Sequence, residues 1–254
     1  TIVTKFGGSS LADSIHFKKV KNIIEGNSER KYVVPSAPGK RFSKDFKVTD
    51  LLYLCHAHVN SGISLDDVFK LISERYHSIV NELDLNFDLN SHLEIIKKDI
   101  ENGASVDYAA SRGEYLNGLI LANYLNIDFI DDKDVIKFDN HGSLNSKKTY
   151  SLLKDKLSTC KRAVIPGFYG SNENGDIVTF SRGGSDVTGA LVAASLNVDL
   201  YENWTDVSGF LMADPRIVES PKKIKTITYG ELRELSYMGA SVLHEDAVFP
   251  VRNA

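Results

Sequence analysis

Ile2-Val3-Thr4-Lys5-Phe6-Gly7-Gly8-Ser9-Ser10 opens the chain with a buried-strand pattern that ends in a lysine and two glycines. The apolar, β-branched run reads as a strand over 2–6. A helix follows through residue 25, with Ile15, Val20, Ile23 and Ile24 spaced for one face. Paired glycines let backbone come close to a ligand, and a helix start favours an anion. Lys5, at the strand end, adds a point charge on the same anion. The lysine precedes the glycines, so this is no Walker A loop, and no G-x-G-x-x-G occurs. A plain tight turn fits the same residues, so pattern alone leaves both readings open.

Outward from this stretch, short β-like runs alternate with longer helical patterns. Strands are expected at 32–35, 128–130, 135–138, 163–166, 177–180 and 199–204. Residues 36–47 read as a polar, basic loop. Helical patterns fill 48–126 with breaks near 61–62 and 84–90, and small residues mark a helix over 186–196. No repeat or low-complexity linker interrupts the alternation. Such a chain predicts an α/β fold whose largely parallel sheet is covered on both faces, with ligands at the carboxyl ends of its strands.

A second strand–glycine–helix element is Ser181-Arg182-Gly183-Gly184-Ser185-Asp186. Arg182 offers a planar fork for a carboxylate or phosphate, and Asp186 has the position of a cap. Two such elements in one chain favour a site between two anion-binding loops. Asn203-Trp204-Thr205-Asp206-Val207-Ser208-Gly209 alone reads as a strand end and a turn. Ser111-Arg112-Gly113-Glu114 lies within a helical stretch, where Gly and Glu are usually structural. The seven histidines are scattered, and no metal-ligand cluster or Ser/His or Cys/His arrangement stands out.

The 254 residues suffice for a large core without disulfides, roughly 70–75% of the unfolded surface being buried at that size. Thirty Lys+Arg against 34 Asp+Glu give a net charge of -4, which points to neither nucleic acid nor a membrane surface. No apolar run approaches the ~20 residues of a spanning helix, and the N-terminus lacks signal-peptide regions. Two unpatterned cysteines fit a reducing cytoplasm. Asn203-Trp204-Thr205 matches a glycosylation sequon, which without a secretory signal carries no weight.

The opening Lys5-Phe6-Gly7-Gly8-Ser9-Ser10 resembles the signature of the aspartate kinases. Ser36-Ala37, Val48-Thr49-Asp50-Leu51-Leu52, Arg112-Gly113-Glu114, Arg182-Gly183-Gly184-Ser185-Asp186 and Trp204-Thr205-Asp206-Val207 follow in the family's order across nearly the whole chain. The resemblance implies a three-layer αβα sandwich around a mainly parallel sheet, the amino-acid-kinase fold, with residues 1–254 as its catalytic domain. Aspartate would sit over the N-terminal half and ATP, with Mg2+, over the C-terminal half. The implied reaction converts L-aspartate to 4-phospho-L-aspartate, the first step toward lysine, threonine and methionine. Glutamate, N-acetylglutamate and UMP kinases share the fold and are the alternatives, together with a catalytically silent ligand-binding relative.

By the same resemblance, Lys5 and Asp186 are the catalytic candidates. Gly7, Gly8, Ser9, Thr205, Asp206 and Arg216 would surround the nucleotide, and Ser36, Thr49, Glu114, Arg182 and Ser185 would hold aspartate. Asp186 could position Lys5, reach Mg2+ through water, or cap its helix. The chain departs from many relatives at Ser241 (Lys), Glu245 (Pro) and Leu211 (Tyr). The family forms homodimers, and its members continue with further sheet and regulatory ACT domains. Residues 242–253 read here as a helix, so more chain is expected downstream.

Overall fold

The computed structural model describes residues 1–181, 183–206, 209–212, 218–237 and 250. Strand β1 (Ile2–Phe6) leads through a 3-10 turn (Gly8–Leu11) into α1 (Ser14–Glu25), and β2 (Arg30–Pro35) follows. Four helices come next: α2 (Val48–Asn60), α3 (Asp66–Glu82), α4 (Leu89–Glu101) and α5 (Val106–Leu125). Then come β3 (Asp128–Phe129), α6 (Asp132–Val135), α7 (Ser146–Ser158), β4 (Ala163–Val164), β5 (Tyr169–Ser171) and β6 (Ile177–Thr179). The described elements end with α8 (Gly184–Leu196), β7 (Leu200–Trp204) and α9 (Tyr229–Tyr237).

Five strands form one sheet in the order β3-β4-β2-β1-β7, with every pairing parallel. Residue parity divides the core in two. Phe6, Val33 and Val164 face one way, onto α1 through α5. Val3, Tyr32, Val34, Ala163 and Ile165 face the other way, onto α7 and α8 through Leu153, Leu157, Val187, Leu191 and Val192. Each such side chain, fully buried, contributes about 1.5–3 kcal/mol. The result is the expected three-layer αβα arrangement, with β1 inside the sheet and Lys5 on the α8 face. Among the described residues, no helix is long and apolar enough to cross a membrane.

The structure departs from the sequence expectations in several places. Residues 135–138 form no strand. Asp131 caps α6, accepting from the Lys133 amide at 3.1 Å, and Asp132 and Asp134 favour a helical first turn. Ile136 and Phe138 are apolar because they enter the α7–α8 core, and 137–138 make only isolated bridges. The 177–180 run pairs antiparallel with β5, outside the main sheet. The turn between these strands is held by Asn172 Oδ1, which accepts from the amides of Asn174 and Asp176. Ile15 is 61% exposed, and the buried face of α1 begins at Phe17 instead. A further helix break, missed by periodicity, falls between α4 and α5, where Ser105 accepts from the Tyr108 amide. The helix expected at 242–253, with Ser241 and Glu245, lies outside the described residues.

Loop 36–47 is anchored rather than free. Arg75 of α3, buried, donates to Asp45 Oδ2 (2.6 Å), Gly39 O (2.7 Å), Phe46 O (3.1 Å) and Ala12 O (3.3 Å). Arg41 grips the same Asp45 carboxylate at 2.7 and 2.9 Å. Those guanidinium contacts hold Asp45 well below the usual carboxylate range, the Arg41 hydrogen bond contributing most.

Candidate active site

The carboxyl ends of β1, β2 and β7 meet in one place. Ser36 N donates to Phe6 O, and Gly7 N donates to Trp204 O, each at 3.0 Å. Gly7, Gly8 and Ser9 therefore lie between the turn that leaves β2 and the Thr205-Asp206 turn that leaves β7. The glycines do not open directly into α1; a 3-10 turn intervenes, and α1 starts only after its Asp13 cap. A Cβ on Gly8 would stand 2.9 Å from Ala37 O, and one on Gly39 would stand 2.6 Å from Gly8 C. Gly39 N donates to Gly8 O at 2.8 Å, so the first glycine loop is clasped by the Arg75-anchored loop. Close backbone approach explains the need for glycine on both sides.

Lys5 is only 8% exposed, and its Nζ lies 2.7 Å from Asp186 Oδ1 in the first turn of α8. Asn203, its register partner on β7, donates Nδ2 to the same oxygen at 2.9 Å. The N-cap of α8 is Gly183, with no side-chain cap, so Asp186 spends this oxygen on Lys5 and Asn203 rather than on its own helix. Ser185, buried, adjoins Asp186 and packs against Gly167 at the end of β4. Thr205 Oγ1 donates to Asp206 Oδ1 at 3.1 Å, and both are exposed. Arg182 and Arg216 lie outside the described residues.

A second set of polar groups hangs from α5. Gly113 brings the helix against loop 36–47: a Cβ there would stand 2.8 Å from Ala37 Cβ. Tyr76 OH donates to Gly113 O at 2.7 Å and holds that approach. Glu114, 6% exposed, accepts from the backbone amide of Ala37. Burial pushes its carboxyl up to about 8, against the pull of the Ala37 and Glu114 amides and the Arg112 charge. Its Oε2 has no hydrogen-bond partner among the described residues. One turn on, Asn117 Nδ2 donates to Ser36 O at 2.7 Å, while its buried Oδ1 has no partner among the described residues. Ser36 and Thr49, each half-buried, border the same loop. Arg112 stacks over Tyr115, Tyr108 and Tyr169 at 4.4, 4.7 and 5.2 Å, the role of a buried anchor.

Geometry thus brings Lys5, Gly7, Gly8, Ser9, Asp186, Thr205 and Asp206 together, with Ser36 and Glu114 one loop away. Four polar residues were missed by sequence reasoning: Asn117, Asn203, Asp132 and Arg75. Asp132 is fully buried with neither oxygen partnered among the described residues, and burial, with the Asp131 and Glu114 charges, holds its carboxyl well above the usual range. A polar residue at a strand position facing a covered sheet was the available signal for Asn203. Asn117 carried no such mark, because helix periodicity tolerates polar residues, and an acid at 132 between two expected strands reads as part of a turn.

The chemistry available is electrostatic. A buried ammonium lies beside the glycine-rich backbone, and a buried acid with a spare acceptor oxygen reaches loop 36–47 from α5. Among the described residues, no group of three or more His, Cys, Asp or Glu could hold a metal. Mg2+ seldom has such a cage, binding through one or two carboxylates and substrate phosphates, which the exposed Asp206 would suit.

The amino acid kinase family model matches residues 1–254. The chain is 38% identical to Aspartokinase 3 of Bacillus subtilis over 99% of its length and 59% of the relative's. Its fold superposes on the crystal structure of Clostridium acetobutylicum aspartate kinase with a TM-score of 0.95 at 67% identity, covering 99% of this chain and 57% of that one. On E. coli aspartokinase III in complex with aspartate and ADP, the TM-score is 0.83 at 26% identity, covering 98% and 59%. The chain therefore spans somewhat over half the length of these relatives. Parallel sheet, paired glycine loops and family match converge: this chain belongs to the amino acid kinase family.

Proposed function

We propose that the protein transfers the γ-phosphoryl group of ATP to the side-chain carboxylate of L-aspartate, giving 4-phospho-L-aspartate and ADP. The observation that carries this reading is the pairing of buried Lys5 with half-buried Asp186 at the junction of two glycine loops, with the buried acid Glu114 one loop away. A phosphoryl acceptor alone gives no reason for a buried acid; an amino acid with a free ammonium does. The E. coli relative was crystallised with aspartate and ADP, which supports the same pairing of ligands.

Aspartate's side chain ionises near pH 4, so the nucleophile needs no general base. The barrier is the approach of one anion to another, through a transition state with charge spread over the γ-phosphoryl oxygens. Lys5 supplies charge there, and the backbone of Gly7, Gly8 and Ser9 supplies N–H dipoles. Thr205, Asp206 and Arg216 border the nucleotide. Arg182 pairs with a substrate carboxylate, Glu114 with the α-ammonium, and Ser36, Thr49 and Ser185 complete the acceptor pocket. Asp206 and the nucleotide's phosphates would hold Mg2+, which would supply neutralising charge to those phosphates. The protein works in the cytoplasm as a homodimer in this reading.

A coupled ADP-release assay on the full-length protein, with hydroxylamine trapping of the acyl phosphate, tests the proposal. Aspartate should support turnover, and glutamate should be at least about tenfold poorer because one extra methylene misplaces the attacking oxygen. Equal rates with both acceptors, or no aspartate-dependent ADP release, would refute it. The second outcome is what a silent ligand-binding relative would give.

A further inference from the structure

Asn203 is a polar side chain in an unlikely place. Its strand alternates cleanly: Glu202 and Trp204 face the α1–α5 side, where Glu202 meets Arg30 at 2.8 Å and accepts from Trp204 Nε1 at 2.8 Å. Tyr201 and Asn203 face α8, and both reach Asp186. Tyr201 OH donates to its backbone carbonyl at 3.2 Å, and Asn203 Nδ2 donates to its Oδ1 at 2.9 Å. Asn203 Oδ1 is buried and has no partner among the described residues. Turning the amide over would set that oxygen against a carboxylate, so Asp186 fixes its orientation.

We propose that Asn203 is a positioning residue for phosphoryl transfer: it holds the Asp186 carboxylate in place while Lys5 leaves it for the phosphates. The inference rests on the functional reading above and deepens it. At rest, Asp186 Oδ1 is shared by a cation and a neutral donor. A lysine held by one carboxylate has part of its charge spent. As the γ-phosphoryl group develops charge, Lys5 turns toward it, and the half-buried Asp186 carboxylate would otherwise lose its charged partner. The Asn203 amide makes no such move, because it is fixed to β7 beside β1 in register with Lys5. It keeps one hydrogen bond on Asp186 throughout and, being neutral, does not compete for the phosphates.

The titratable groups facing position 203 among the described residues are Lys5 from β1, Asp186 from α8 and Tyr201 from its own strand. Glu202 and Arg30 lie across the sheet. The test compares Asn203→Leu and Asn203→Asp with wild type in the full-length protein. Asn203→Leu should lower kcat roughly 10- to 100-fold, with KM for ATP and for aspartate within about threefold. Asn203→Asp keeps the shape but places a second carboxylate against Asp186. Its rate relative to wild type should be lowest near pH 8 and recover as pH falls toward about 5.5, because one shared proton then restores a donor at the amide's position. Recovery on acidification is an outcome that damage to the strand would not produce. Asn203→Leu with kcat within about twofold of wild type, or an Asn203→Asp profile parallel to wild type, overturns the inference; should Asn203→Leu not fold, the isosteric Asp variant decides. If the wild type proves inactive with aspartate, the substrate reading fails separately, since the variant ratio is then read with whichever acceptor, or water, the protein phosphorylates.

Discussion

Glu114 allows the ammonium assignment to be tested by counting protons. Burial raises its carboxyl to about 8, so at pH 7 about nine in ten ligand-free molecules hold it neutral. An ammonium seated against Oε2 favours the charged form and expels that proton. Aspartate binding at pH 7 should therefore release about 0.9 proton, falling to about 0.1 at pH 9. Calorimetric titrations in buffers of different ionisation enthalpy give the count directly. Glu114→Gln should release none and bind aspartate more weakly by about 2–5 kcal/mol, since the ammonium is left without its counter-charge. Asp132, also buried and with its carboxyl pushed well above the usual range by that burial, is the competing source of the proton; Asp132→Asn should leave the count unchanged. A wild-type count near zero at pH 7, or an unchanged count in Glu114→Gln, would refute the assignment.

The same carboxyl affects stability, and the sign is opposite to that of a salt-bridged acid. Its folded value lies above the ordinary 4.5, so between about pH 4.5 and 8 the native state binds more protons than the unfolded one. Stability is therefore lost as pH rises through that window. The gap, at about 1.4 kcal/mol per tenfold, sets an upper bound of about 5 kcal/mol. Urea unfolding should show Glu114→Gln gaining on wild type across the window and matching it near pH 4.5.

Further expectations follow from the geometry. Lys5→Ala should lower kcat at least about 100-fold with the fold retained by circular dichroism; a loss confined to KM for ATP would assign Lys5 to ground-state binding only. Gly39→Ala pushes a methyl into the Gly8 backbone and should cost about 1–3 kcal/mol in urea unfolding, with weaker ATP binding; unchanged stability would mean that the two loops part freely. Arg75→Met strips the buried Asp45 of one cation and three carbonyls of their donor, and should cost about 3–5 kcal/mol; less than about 1 kcal/mol would show that Arg41 alone suffices.

What could be read in advance, and what could not, follows from how far apart the partners lie in the chain. The β1 stretch carries its signal locally, because strand, glycines and lysine are contiguous, and the same holds for β7 and for the start of α8. Residues 135–138 misled because apolar residues entering a core look alike in a short helix, an isolated bridge or a strand. The Asp131 cap was the local clue against a strand. β5 was missed because three residues are too few to show a period.

The unread part of the site consists of polar residues whose meaning depends on register. Leu200-Tyr201-Glu202-Asn203-Trp204 reads from sequence as a strand, but its pattern does not say which neighbour each polar side chain will meet. Placed beside β1 in a sheet covered on both faces, it holds two polar side chains on opposite sides, and each needs a partner. Glu202 finds Arg30 and the Trp204 indole. Among the described residues Asn203 finds Asp186, at an oxygen already claimed by Lys5. Lys5 alone already gives that oxygen a partner at rest. A second donor becomes useful only if the first has somewhere else to go, and the glycine loop beside Lys5 is where the phosphates would draw it.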